Sequence, residues 1–181
     1  MPELLTPEDL AGGAQPPDLA RLAARGRVQP LRLHPDPILR RRCEPAGVLG
    51  SDQLRDLAAD LLATMYHAGG RGLAAPQIGH ALRIFVMDPG WKDGQPSPLV
   101  VLDPDILTRS PETETAEEAC LSIPGRSLAV RRPCAISLRC FDLTGLETVL
   151  ELSGIAARIA LHEADHLDGR LILDLAGDDH G

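Results

Sequence analysis

The sequence predicts an α+β domain in which mixed or antiparallel strands surround a central C-terminal helix, and three observations carry that prediction. Apolar residues recur at helical intervals over Ser51 to His67 and again from Ile155 to His166. Between these stretches, Arg83 to Met87, Leu99 to Leu102, Ala135 to Phe141 and Glu147 to Leu152 are short apolar or alternating runs bounded by Gly, Pro and Asp, the punctuation of strands. A chain of 181 residues with no internal repeat is long enough for one core that buries about 70% of its unfolded surface. Aromatic residues make up only 2%, so aliphatic packing must build that core.

Residues 1 to about 27 read as a separate N-terminal extension rich in Pro, Gly and Ala. A short helix around Pro17 to Arg25 or an extended arm would suit them equally. The extension has no basic start and no apolar centre, so it is not a secretory signal. Residues 28–175 form the expected catalytic domain, and 176–181 a polar tail. Arg40, Arg41 and Arg42 run into Cys43 and Glu44-Pro45, which reads as a surface turn. In the first long helix Leu54, Leu57, Ala58, Leu61, Leu62 and Met65 face inward, and Gly69-Gly70 ends it. Gly70 to Gly79 then reads as a glycine-punctuated loop. It lacks the Lys-Ser/Thr ending of a phosphate loop. Cys120 closes an acidic stretch and precedes a segment ending in the Pro124-Gly125 turn. A hairpin around Thr144-Gly145 leads into the last helix, with Ser153 as N-cap, Ile155, Ile159, His162 and His166 inward, and Gly169 as the stop.

That last helix carries the chemistry. His162-Glu163-Ala164-Asp165-His166 sets two imidazoles four residues apart, on one face of a helix, with a carboxylate beside the first. The pattern proposes a metal hydrolase, and such a site needs a third protein ligand and an open position for water. In one protease class the third ligand is a His six residues beyond the second, but Ile172 occupies that place here. Only fifteen residues follow His166, so the third ligand is expected upstream. Cys134 and Cys140 read as small hydrophobes of a strand start and a strand, the latter alternating with Ile136 and Leu138. Cys120 stands out by its surroundings, though spacing alone selects no thiol.

Three segments in order resemble the motifs of peptide deformylases: Gly70-Arg71-Gly72-Leu73-Ala74-Ala75-Pro76-Gln77-Ile78-Gly79, then Glu118-Ala119-Cys120-Leu121-Ser122, then His162-Glu163-Ala164-Asp165-His166-Leu167-Asp168-Gly169. The similarity runs from about Val28, through Leu33-His34-Pro35-Asp36-Pro37-Ile38-Leu39-Arg40, to about Leu175. It implies the deformylase fold, Cys120 as third ligand beside His162 and His166, and one divalent metal ion, Fe(II) in much of the family. A Cys and two His also accommodate Zn, Ni or Co. It implies Glu163 as general acid-base, with the Gln77 side-chain amide and the Leu121 backbone N–H as donors to the formyl oxygen. Arg71, Gly72 and Ala119 would line the groove where an N-formylated peptide lies as an added strand.

Four positions depart from the family pattern. Ala119 stands where Gly is usual, Leu161 where Gln is usual, Arg71 where an aliphatic residue is usual and Asp103 where Asn is usual. They bear on substrate choice: Arg71 would suit an acidic or carboxylate-bearing substrate, and Ala119 would crowd the groove. The expected activity is therefore metal-dependent hydrolysis of an N-formyl group, releasing formate and a free amine. The alternatives are a divergent member acting on a non-peptide formamide, an endoprotease, and an idle metal-binding relative. A net charge of −8 argues against nucleic acid as partner. No apolar run is long enough to span a bilayer. Four cysteines without an export signal point to a reducing cytoplasm. Oligomeric state is left open.

Overall fold

The computed structural model describes residues 17–176. Residues 1–16 and the tail from Gly177 onward lie outside the described residues. In chain order the elements are α1 (Leu19–Arg25), α2 (Ser51–His67), β1 (Gly72–Ala74), β2 (Ile84–Met87), β3 (Leu99–Arg109), β4 (Thr113–Cys120), β5 (Ile123–Pro133), β6 (Ala135–Phe141), β7 (Glu147–Ser153), α3 (Gly154–Leu167) and α4 (Ile172–Leu175), with short 3-10 turns between them. Strands β1-β2-β3-β6-β7 form one sheet in that order, and β4-β5 form a second. All strand pairs are antiparallel; an isolated parallel bridge joins Glu44 to Leu82.

Strand β2 shows why the molecule has layers. All four of its residues are buried, and alternate side chains point to opposite faces of the sheet. Ile84 and Val86 pack with Leu57, Leu61, Leu62 and Met65 of α2. Phe85 and Met87 pack on the other side with Leu138 of β6 and with Ala157, Ala160 and Leu167 of α3. The sheet is thus covered by α2 on one face and α3 on the other. A third cluster, built from Leu39, Ile123, Val130, Leu171 and Ile172, ties β5 to the C-terminal segment. Each such Leu or Ile contributes about 1.5–3 kcal/mol by leaving water. α1 lies against α2 through Leu22, with Asp18 capping its N-terminus by accepting from Ala20 and Arg21 N–H.

Several expectations meet their element closely. α2 spans the residues the periodicity indicates, and β6 and the hairpin before α3 do so too. Others are corrected. The first motif is not simply a loop: Gly72–Ala74 pairs with β2, and Ala75–Ile78 closes a 3-10 turn. Chain reversal after Cys120 occurs at Leu121-Ser122, whereas Pro124-Gly125 lie within β5. Ala119 pairs with Ser127 but Cys120 with Ile123, so 124–126 form a bulge. Cys43 does not sit on a surface turn; the arginines before it are exposed, but its side chain joins the core below α3. Ile155 faces outward rather than inward, at 55% exposure. Ser153 takes the extended N-cap backbone without a side-chain capping bond.

The end of α3 is fixed by geometry that only glycine meets. Gly169 has φ of +73°, its N–H donates to His166 O at 3.2 Å, and Arg170 N–H donates to Asp165 O at 2.9 Å. A Cβ at Gly169 would also fall 2.4 Å from the Arg40 carbonyl oxygen. Asp103 holds φ of +49°, a left-handed value Asn and Asp tolerate best, and its carboxylate accepts from Ala46 N–H at 2.7 Å. Its change from the family pattern is met locally, away from the cleft.

Candidate active site

Three remote segments meet on α3. The i, i+4 spacing sets the His162 and His166 rings 5.1 Å apart. Alternation along β4 buries Glu118 and Cys120 while leaving Glu117 and Ala119 exposed, and it directs the thiol at the helix. Cys120 Sγ lies 3.3 Å from His166 Nε2. One ligand atom each from Cys120, His162 and His166 lies within 4.8 Å of the others.

The surrounding charges decide how those ligands are presented. Glu118 takes a two-pronged hydrogen bond from Arg132, at 2.7 and 2.9 Å, one from Arg158 at 2.8 Å, and one from His162 Nδ1 at 3.0 Å. Arg132 also reaches Asp165 at 2.8 Å, and Arg158 donates to the carbonyls of Val130 and Glu114 at 2.9 and 2.7 Å. Burial works against the Glu118 anion, but His162 and Arg132 outweigh it and bring its pKa down to about 2. With Nδ1 committed to Glu118, His162 offers Nε2 to the pocket. In the metal-free site burial opposes charging of His162, while hydrogen bonding to Cys120 and Glu118 carries its pKa up to about 10. His166 differs: burial, then the positive His162 and Arg132, hold its pKa well below the usual value, so its ring is neutral.

A divalent metal fits these residues on structural grounds. A thiolate and two imidazoles are a ligand set for a borderline-soft ion, and three convergent donors leave a coordination position open. His166 presents Nε2 to the Cys120 thiol, and Glu163 Oε2 is buried beside these donors without a hydrogen-bond partner among the described residues. A buried carboxylate oxygen without a partner is uncommon and calls for a catalytic role or a completing water or ion.

Glu163 and Gln77 flank the donor set. Glu163 is buried, and desolvation, reinforced by the Glu118 anion and opposed by His162, lifts its pKa to about 7. Its carboxylate occupies the space where Gly72 has no side chain: a Cβ there would stand 2.4 Å from Oε1. Gln77, held in the 3-10 turn after β1, accepts from Ala74 N–H at 2.9 Å through its oxygen. That bond turns its NH₂ toward Ser122 Oγ, 3.1 Å away, and Cys120 Sγ, 3.8 Å away. Leu121 opens the turn beside the ligand, with its side chain against Gly70.

A cleft of about 480 Å³ opens over this centre. Arg71, Gly72, Ala119, Leu121 and Ile155 all line it. Arg71 is not an open cation, however: its guanidinium donates to Asp93 at 2.9 Å and to the Pro89 carbonyl. Leu161 lies outside the cleft and packs into the core below the sheet. Sequence reading gave no role to Glu118, Arg132, Arg158 or Asp165. The signal was available for two of them, since Glu118 shares a strand face with Cys120 and Arg158 a helix face with His162. Arg132 and Asp165 meet only through the fold.

The family model described as Polypeptide deformylase matches residues 28–180. The peptide deformylase of Bartonella henselae is 43% identical over 147 residues, 81% of this chain and 83% of that protein. The chain belongs to the peptide deformylase family. Its fold matches the crystal structure of the peptide deformylase from Thermotoga maritima with a TM-score of 0.77 at 39% identity, covering 83% of this chain and 99% of that one. It also matches the Met-Ala-Ser-bound class I type b peptide deformylase from Acinetobacter baumannii, at a TM-score of 0.77 and 32% identity, over 83% of this chain and 99% of that one. The deformylase family is metal-dependent and enzymatic, and all three motif segments fall inside the match. No helix among the described residues is long and apolar enough to cross a membrane.

Proposed function

We propose that this chain is a peptide deformylase that hydrolyses the N-formyl group of formyl-methionyl peptides, releasing formate and a free amine. The observation that carries the reading is the convergence of Cys120, His162 and His166 within 4.8 Å beside the buried carboxylate of Glu163. Cys120, His162 and His166 would hold the ion, Fe(II) in the cell by the family resemblance, with Zn, Ni or Co able to take its place. A divalent ion there would supply Lewis acidity toward the formyl carbonyl and would lower the pKa of a bound water to about 7.

The remaining work falls to the chain. Glu163, with a pKa of about 7, is poised to accept the attacking water's proton and return it to the leaving amine, a role worth about 10² to 10⁴ in rate. Gln77 donates its NH₂ and Leu121 its backbone N–H to the formyl oxygen as negative charge gathers there. Each such donor is worth about 2.7–4 kcal/mol of barrier. Glu118 holds His162 in the ligating tautomer, and Arg132 and Arg158 keep Glu118 ionised. β1 is an edge of the sheet, so an extended peptide can add to it as a strand, with its formyl end over Gly72 and Ala119.

Residues 28–175 would make up the catalytic domain, with 1–27 an extension whose helix α1 rests on α2, and 176–181 a tail. The proposed location is the cytoplasm, where thiols stay reduced; none of the four cysteines is in a disulfide. The test is formate release from formyl-Met-Ala-Ser by metal-loaded protein. Glu163→Ala should abolish it while the metal stays bound. Full activity in that variant would overturn the role of Glu163, and no formate from the wild type would overturn the function.

A further inference from the structure

Two walls rise beside the cleft, and each carries a cation without a carboxylate partner among the described residues. On one side the loop after β2 is fastened to the rim. Trp91 Nε1–H donates to the Gly70 carbonyl at 2.8 Å, and its ring meets Tyr66 edge-on at 5.3 Å. Asp88, fully buried, accepts from Tyr66 Oη at 2.7 Å and from Ser97 N–H at 2.9 Å. Lys92 therefore extends from an anchored turn, with its ammonium 5.7 Å from the centre of the Trp91 ring. On the other side the 124–126 bulge of β5 carries Arg126, exposed and lining the same cleft. Arg71 makes no comparable contribution, because Asp93 neutralises it. Three acids also line the cleft: Glu118 and Glu163 belong to the centre itself, and Glu117 is the exposed one on its rim. The chain as a whole carries −8, so cations on both walls of its active-site cleft run against the overall charge.

From this arrangement we infer that Lys92 and Arg126 are specificity-determining residues that favour N-formyl peptides bearing a carboxylate beyond the formylated methionine. The inference rests on the deformylase reading and deepens it by naming a substrate class. The carboxylate can be an acidic side chain or the free C-terminus of a short peptide; both present the same chemistry to an ammonium and a guanidinium. Such partly exposed pairs are individually weak and screened by salt, so the effect is a graded preference, not an absolute requirement.

The experiment measures kcat/KM of the metal-loaded enzyme for formyl-Met-Ala-Ser amide, formyl-Met-Glu-Ser amide, formyl-Met-Lys-Ser amide and formyl-Met-Ala-Ser free acid. The expected result is an advantage of about 3- to 10-fold for the Glu amide, the free acid or both over the Lys amide, shrinking as sodium chloride is raised. The two acidic substrates separate side chain from C-terminus. In Lys92→Glu/Arg126→Glu the order should reverse, and the single Lys92→Gln and Arg126→Gln variants should each narrow it. Equal turnover of all four peptides by the wild type, or an unchanged ratio in the double variant, would overturn the inference while leaving deformylation intact. Hydrolysis of none would overturn the deformylase reading, and this inference with it.

Discussion

Glu118 is where the electrostatics of the site are decided. It joins His162 to two buried arginines, so its loss would leave both guanidinium groups poorly paired and the imidazole free to rotate. Glu118→Gln is expected to weaken metal binding by about 10- to 100-fold, read by competition with a chromophoric chelator. Gly72 makes a second case. Gly72→Ala would press a methyl against the Glu163 carboxylate, 2.4 Å from Oε1, and activity should fall steeply while metal content holds. A fully active Gly72→Ala enzyme would show that Glu163 need not stay where it lies. At this scale the sequence was informative about the residues proposed to touch the reaction. Cys120, His162, His166, Glu163 and Gln77 stand in recognisable strings, whereas Arg132 belongs to no string, and its bonds to Glu118 and to Asp165 exist only because the fold lays β5 beside α3.

Elements differ in how plainly the chain announces them. α2 is legible because Leu57, Ala58, Leu61, Leu62 and Met65, all buried, repeat at helical spacing and a glycine pair follows. β6 is legible because Ile136, Leu138 and Cys140 alternate with less buried neighbours. β4 and β5 are not, for a physical reason: Thr113–Cys120 is mostly Thr and Glu, residues suited to a solvated loop, and pairing with the basic β5 makes the strand. Glu114 faces Arg132 and Thr115 faces Arg131 across that pair. The strand expected over Leu99 to Leu102 continues as β3 to Arg109, with Asp103-Pro104 taken up in a register shift between Leu102 and Asp105. The element most exposed to a single change is the end of α3. Gly169→Ala meets both the left-handed backbone and the Arg40 carbonyl, and thermal unfolding should register a loss of at least about 1–2 kcal/mol. An unaltered melting temperature would mean that neither the left-handed backbone nor the Arg40 contact is costly there.

For the molecule as a whole, the layered core holds the metal ligands in place and pH reports on how tightly. Glu118 has a folded pKa near 2 against an ordinary 4.5, so its contribution to stability is complete above 4.5 and is lost as pH falls from there toward 2. Urea midpoints of metal-free protein should therefore drop over that interval, and less so in Glu118→Gln. His162 runs the other way, with its metal-free pKa raised to about 10, so below that pH a proton competes with the ion. Metal affinity should rise with pH by up to about tenfold per unit for each proton displaced, and calorimetry in buffers of different ionisation enthalpy would count those protons. Zero protons released at pH 7 would contradict the assignment of His162.

The most direct measurement is X-ray absorption on zinc-loaded protein at the metal edge. One sulfur at about 2.3 Å and two imidazole nitrogens at about 2.0–2.1 Å, with the sulfur lost in Cys120→Ser, is the predicted result. A first shell without sulfur, or one unchanged in Cys120→Ser, would contradict it.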